Sequence, residues 1–274
     1  MKLVNLGLQP AFNAGLRSLF AALVLAAWMR MQGRSVAVAR ETIPSGLLAG
    51  VLFAAEFLLL FIAIDLTTVA RVSVMFYTMP VWLAVMAHLL VPGDRLNLRK
   101  LVGLALAMGG VAWAILDRQP GGGGSLAGDL MALTAALGWA GIAIIARTTP
   151  FARIDPEMQL MWQVTVSAVL LLFAAPFFGP LFREFVPWHL AGFAFQVGVV
   201  SIGFVGWFVL LKIYPASGVA SFAFLAPVFG VVFGWLILGE TVRWPLWASL
   251  ALVAVGLTLI NRPSRAAMSA QTGK

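Results

Sequence analysis

Few side chains in this sequence could do chemistry, and the ones that matter stand inside apolar runs. Glu56 is the one acid well inside such a run, and an ionisable group at bilayer depth is a functional hypothesis by default, because removing it from water is costly. It could bind a proton or meet a cationic ligand. The structural alternatives are an ion pair with Arg17 or Arg71, or a protonated, hydrogen-bonded acid with no further role. Arg17 could hold a carboxylate, although its place near the start of its run favours bracing the bundle and snorkelling to the interface. For Arg71, with Asp65 shortly before it, a local ion pair is expected. Pro80 and Pro227 each remove a backbone hydrogen bond within an apolar run, and carbonyls freed in hydrocarbon are tolerated where they border a cavity. Their aromatic neighbours Tyr77, Trp82, Phe224 and Phe229 are therefore candidate lining residues, with ordinary core packing as the commoner role for such rings.

Covalent and metal chemistry are poorly supplied. The chain has no cysteine, which removes thiolates and disulfides. His88 and His189 are isolated near the ends of their runs, without metal-ligand spacing, and are expected at the interfaces. The Gly121 to Gly124 stretch leads into Ser125, Leu126 and Ala127 and lacks the lysine of a phosphate-binding loop. No catalytic residue, metal or cofactor is expected. An intramembrane enzyme would need nucleophile, base and oxyanion donors in mutual reach, and the polar inventory is too thin for that.

The elements that must position these residues follow from composition. Of 274 residues, 62% are hydrophobic and 10% charged, with a mean hydropathy of +0.99, which describes a polytopic membrane protein. The net charge of +8 fits basic loops at an anionic membrane surface rather than a nucleic-acid partner. A spanning helix needs about 20 apolar residues. Runs of that length predict nine transmembrane helices near 11–31, 45–64, 67–90, 98–116, 126–147, 157–178, 188–211, 216–238 and 244–261. The chain divides into 1–116, a Gly-rich linker at 117–125, 126–261 and a tail at 262–274. Arg30, Arg34, Arg40, Arg95, Arg99, Lys100, Arg147, Arg153, Lys212, Arg262, Arg265 and Lys274 fall on one side, which should be cytoplasmic. That places the carboxyl terminus inside and the amino terminus outside.

One half maps onto the other. Gly93, Asp94, Leu104, Ala105, Leu106 and Gly110 match Gly239, Glu240, Leu250, Ala251, Leu252 and Gly256 at an offset of 146 residues. With one residue of slippage, Met79-Pro80-Val81 falls on Ala226-Pro227-Val228. Gln163 then stands at the position equivalent to Arg17, which suggests a polar site shared at one level. The helix at 126–147 maps ahead of residue 2, so the first half is expected to lack its opening helix. An intact chain would carry five plus five spans, and because five is odd the halves would be inverted. Asp94 and Glu240, just after helix ends, are expected to cap the next helix. Gly46 with Gly50 and Gly230 with Gly234 are small-residue pairs that allow close helix approach, chiefly inside the bundle and otherwise in a homodimer.

Tyr77-Thr78-Met79-Pro80-Val81-Trp82 followed by Gly93-Asp94-Arg95-Leu96, and Leu225-Ala226-Pro227-Val228-Phe229 followed by Leu238-Gly239-Glu240-Thr241-Val242, resemble the two copies of the EamA domain of the drug/metabolite transporter superfamily. The resemblance runs from about residue 10 to residue 261. It implies an all-α integral membrane fold of two inverted repeats around a central pathway, in a bacterial-type inner membrane. It also implies secondary transport, most plausibly export, of a small-molecule solute such as an amino acid or other metabolite. Two departures stand out: the opening helix is missing, and the first copy has Asp94 where glutamate is usual. The alternative function is a non-transporting membrane scaffold or inactive fragment.

Overall fold

The helices begin where the sequence offers caps and end where it offers breaks. In the computed structural model, residues 1–34, 39–92, 94–117, 124–203, 206, 210 and 225–261 are described. They form α1 (Lys2–Asn5), α2 (Pro10–Met31), α3 (Ile43–Leu66), α4 (Val69–Phe76), α5 (Met79–Leu90), α6 (Leu98–Leu116), α7 (Leu126–Thr148), α8 (Pro156–Ala174), α9 (Trp188–Gly198), α10 (Leu225–Leu238) and α11 (Trp244–Asn261). Side-chain oxygens of Gln9, Thr68, Asn97 and Ser125 accept the free amides at the starts of α2, α4, α6 and α7, as N-caps do. Among the described residues there is no strand, only an isolated bridge between Leu8 and Phe182.

Seven helical stretches are long and apolar enough to cross a bilayer, and Trp188–Gly203 and Leu225–Leu238 are shorter apolar helices. Seven spans are thus found among the described residues where nine were expected. Residues 211 and 216–224, which belong to two of the nine, lie outside them. The run at 67–90 is two helices, α4 and α5, joined at Tyr77 and Thr78. Pro80 stands in the first turn of α5, where a missing amide hydrogen leaves nothing unsatisfied. The proline opens a helix rather than kinking one.

Helices that correspond at the 146-residue offset pack on each other. A Cβ on Gly103 of α6 would lie 2.6 Å from the Gly256 carbonyl oxygen of α11, and one on Gly110 would lie 2.7 Å from the Ser249 carbonyl oxygen. The pairs run 103 with 256 and 110 with 249, so the two helices are antiparallel and each contact is the other's counterpart. The same holds for α2 and α8. Gly15 abuts Leu172, while Leu25 and Met29 share a core cluster with Met158, Leu160 and Val164. The small-residue pairs are used internally: Gly46 faces Trp162 and Gly50 faces Val166 of α8, while Gly230 meets Ser73 and Gly234 meets Ala70 of α4.

The bundle has a Lys/Arg-poor end, where α2, α4, α7, α9 and α11 start, and a Lys/Arg-rich end, where α3, α6 and α8 start. At the poor end Glu240 does not cap α11. Gly239 takes φ +64°, the left-handed reversal that glycine allows at a helix end. Glu240 is thereby turned onto α4, where its carboxylate accepts from the amides of Val69 (2.7 Å) and Ala70 (2.9 Å). Lys2 Nζ adds 3.2 Å to the same carboxylate. Asp94 pairs with Lys100 at 2.9 Å, and the cap of α6 falls to Asn97, the residue just before the helix, whose Oδ1 accepts from the Lys100 amide.

Candidate functional site

Arg17 lies in the middle of the helix packing, not at its rim. Its neighbours on α2 bury Ala14, Ala21 and Leu25, and the residue is 1% exposed. Burial at this depth is incompatible with snorkelling to the interface. The guanidinium carbon stands 3.8 Å from the Phe57 ring centroid and 5.1 Å from that of Phe61, both on α3. These are cation–π contacts, which hold the plane of the group without using its N–H donors. None of the three guanidinium nitrogens has a hydrogen-bond partner among the described residues.

Glu56, one residue before Phe57, is 2% exposed. It is an electrostatic partner of Arg17, yet no hydrogen bond joins them, and Glu56 Oε2 has no partner among the described residues. Gly138 of α7 stands against the Glu56 Cβ, which a methyl group there would meet at an ordinary contact of 3.5 Å. A buried donor or acceptor left unmade costs about 1–3 kcal/mol, more when charged.

Further polar groups approach from the poor end. Asn13, one turn above Arg17 on α2, donates to Asn5 Oδ1 at 2.9 Å, and Asn5 donates to the Phe61 carbonyl at 3.1 Å. Asn13 Oδ1 and Ser18 Oγ are buried without partners among the described residues. On α9 the two amide atoms of Gln196, and Ser201 Oγ in the π-helical turn Val199–Gly203, are in the same state. π-Turns within helices recur at functional sites. Sequence reasoning missed Asn13, Ser18, Gln196 and Ser201. A polar residue inside an apolar run was the available signal, but an ordinary buried, satisfied amide would look the same in sequence.

The other predicted site residues are placed as follows. Tyr77, Pro80 and Trp82 are half-buried at the α4–α5 junction, and Trp82 Nε1 has no partner among the described residues. Pro227 is buried on α10, and Phe229 is half exposed and stacked on Phe233. Phe224 lies outside the described residues. Gln163 is half-buried on α8. Because α2 and α8 are antiparallel, Arg17 and Gln163 lie on opposite sides of the level where the helices cross, and not at one shared level. His189 is buried between Trp188 and Phe185 and accepts from the Val186 amide, whereas His88 is exposed.

Arg71 does not pair with Asp65. The break at Thr67 and Thr68 turns Arg71 toward α7, where its Nη2 meets Asp129 Oδ2 at 2.6 Å and the Ala114 carbonyl at 2.7 Å. Asp65 instead meets Arg183 at 2.9 Å.

The polar groups without partners are buried within a bundle of helices long and apolar enough to cross a bilayer. The profile of the EamA-like transporter family matches residues 1–116 and 126–262. The chain belongs to the EamA-like transporter family. Two relatives from Bacillus subtilis (strain 168) are "Uncharacterized transporter YoaV", 26% identical over 91% of this chain and 86% of that protein, and "Uncharacterized transporter YvbV", 28% identical over 96% and 86%. A protein of known crystal structure shares the fold with a TM-score of 0.63 at 23% identity, over 97% of this chain and 89% of its own. Membership in the EamA-like family gives the chain a general transporter role in a multi-pass membrane setting.

Proposed function

We propose that this EamA-like protein is a secondary transporter that exports small organic metabolites, amino acids among them, by alternating access at a mid-membrane chamber beside Arg17, Phe57 and Glu56. The single observation that carries this reading is the unfilled cluster: an arginine and a glutamate, both buried among spanning helices, with polar atoms that no described residue satisfies. An intramembrane ionisable pair of that kind marks a solute or ion pathway.

The reciprocal antiparallel contacts of α6 with α11 and α2 with α8 support two inverted repeats, 1–116 and 126–261, joined through 117–125. Rocking one repeat against the other exposes a fixed site to each side in turn. The α4–α5 break beside Pro80 and the equivalent position of Pro227 are the interruptions such a site uses. The Lys/Arg-rich end, with the 262–274 tail, is assigned to the cytoplasm of a bacterial-type inner membrane.

The test is solute flux in liposomes reconstituted with purified protein. Saturable flux of at least one member of a metabolite panel is expected, and it should be lost in Arg17→Met. Absence of flux for every member of a broad panel would overturn the reading.

A further inference from the structure

The start of α4 is where distant parts of the chain converge. The first amides of a helix have no partner inside it, and those of α4 are answered from two sources. Arg71 N–H donates to Thr68 Oγ1 at 3.2 Å, a local cap. Val69 and Ala70 N–H donate to the two oxygens of Glu240, at 2.7 and 2.9 Å, from some 170 positions away in the chain. Lys2 Nζ joins the same carboxylate, at 3.2 Å, to the Thr67 carbonyl, at 3.0 Å. One carboxylate thus clamps α1, α4 and the turn between α10 and α11 together at the Lys/Arg-poor end.

Below the clamp α10 lies antiparallel on α4. Gly234 stands against Ala70, and Gly230, one turn further in, stands against Ser73. Among the described residues, the side-chain hydrogen bonds between α4 and the α10–α11 segment are those of Glu240. The other ionic tie of α4, Arg71 with Asp129 of α7, has side chains only 9% and 0% exposed, and parting such a pair would strand charge away from water. The clamp differs. Lys2 keeps 31% of its side chain exposed, so water at the rim can take over the amides and the carboxylate when they separate. One tie of α4 is fixed and the other can be released.

The counterpart of Glu240 in the other half does not cross the bundle. Asp94, with 35% of its side chain exposed, meets Lys100, six positions on at the start of α6. Among the described residues, the same glycine-acid motif clamps one end of the bundle and not the other. A pathway open to one side at a time needs such an asymmetry.

We propose that Glu240 is a releasable latch, which closes the Lys/Arg-poor end of the solute pathway by holding α10 against α4 and opens it by letting go of the Val69 and Ala70 amides. This rests on the transporter reading above. The two elements that the latch parts are those that carry the interruptions, the α4–α5 break beside Pro80 and α10 with Pro227.

The experiment uses the absence of cysteine from the sequence. Ser73→Cys places a single thiol under the latch, at a position 9% exposed that faces Gly230, and Ser167→Cys, in a separate chain, places one at a fully buried position on α8 as a control. The rate of reaction with a water-soluble maleimide is measured on the full chain in detergent, and solute flux is measured in liposomes. Glu240→Gln should speed labelling at position 73 about fivefold and Glu240→Ala at least about tenfold, while position 167 changes by less than about twofold. With Glu240 intact, a solute that the protein carries should alter the rate at position 73 by at least about twofold, because the latch opens and closes in each cycle. That last measurement needs no change at Glu240, so the result does not depend on the folding of a latch variant. Labelling at position 73 that stays at the parent rate in Glu240→Gln, rises equally at position 167, or ignores a transported solute overturns the latch and leaves the transporter reading standing. Faster labelling in a protein that carries no solute of a broad panel overturns both.

Discussion

Two arginines lie buried within the spanning helices, and their surroundings are opposite. Arg71 is 7% exposed and committed: Nε and Nη2 meet both oxygens of Asp129, Nη2 also meets the Ala114 carbonyl, and Nη1 reaches the Asp117 carbonyl. Thr67 donates to the same Asp129 carboxylate. Arg17 is buried more deeply and has aromatic faces but no hydrogen-bond acceptor among the described residues. Burial alone therefore does not separate an arginine whose donors are answered from one whose donors are not. What separates them is whether the protein itself answers the donors. Arg71 ties α4 to α6 and α7 at the Lys/Arg-poor end, and no described residue accepts from Arg17.

The contrast is sharpest when each arginine is broken in turn. Asp129→Ala leaves Arg71 charged, buried and without its main partner. It should cost about 3–5 kcal/mol of stability, read as a large fall in thermal unfolding temperature in detergent. A loss below about 1 kcal/mol would mean that Arg71 escapes to solvent and that the contrast is false. Arg17→Met removes unsatisfied donors and keeps a long apolar side chain over Phe57. It should leave stability unchanged or raise it by about 1–3 kcal/mol while abolishing flux. Melting at a lower temperature than the parent protein would show that Arg17 braces the bundle after all.

Smaller effects test the frame around the two sites. Gly256→Ala places a methyl group against the Gly103 carbonyl and the Ala107 backbone of α6, and overpacking of this kind costs about 1–3 kcal/mol. An unaltered melting temperature would show that the α6–α11 seam has slack. Glu240→Gln retains acceptor geometry at one oxygen but loses the charge that holds Val69, Ala70 and Lys2, with an expected cost of about 1 kcal/mol. Arg153→Gln removes an exposed 3.7 Å pair with Glu41. It should change stability by less than about 0.5 kcal/mol, and a larger shift would point to a latch at the Lys/Arg-rich end.

Much of the frame was legible before any coordinates. The runs at 98–116, 126–147 and 244–261 coincide with α6, α7 and α11 to within a residue, because apolar length between caps and breakers decides where a membrane helix starts and stops. The glycine-acid motif was legible as a recurring signal, but its use was not. A positive φ at Gly239 redirects Glu240 from its sequence neighbour to a helix some 170 positions away in the chain, and no local pattern encodes that. The pairing of Arg71 was misread for a similar reason. Asp65 is near in sequence, but the chain breaks between them and the two side chains leave in different directions. For the candidate site, Arg17 and Glu56 were legible as charges in apolar sequence. Gln196 was legible only as a polar residue, since its burial depends on how α9 packs against the bundle.

The sequence by itself determined the solvent of this protein and the length of its helices, since hydrocarbon demands long apolar segments that satisfy their own backbone. Its offset of 146 residues also announced which helices correspond. Only the tertiary structure decided which buried charge was satisfied. That choice depends on the approach of atoms from helices far apart in the chain, over distances of about 3 Å at which a hydrogen bond is made or lost.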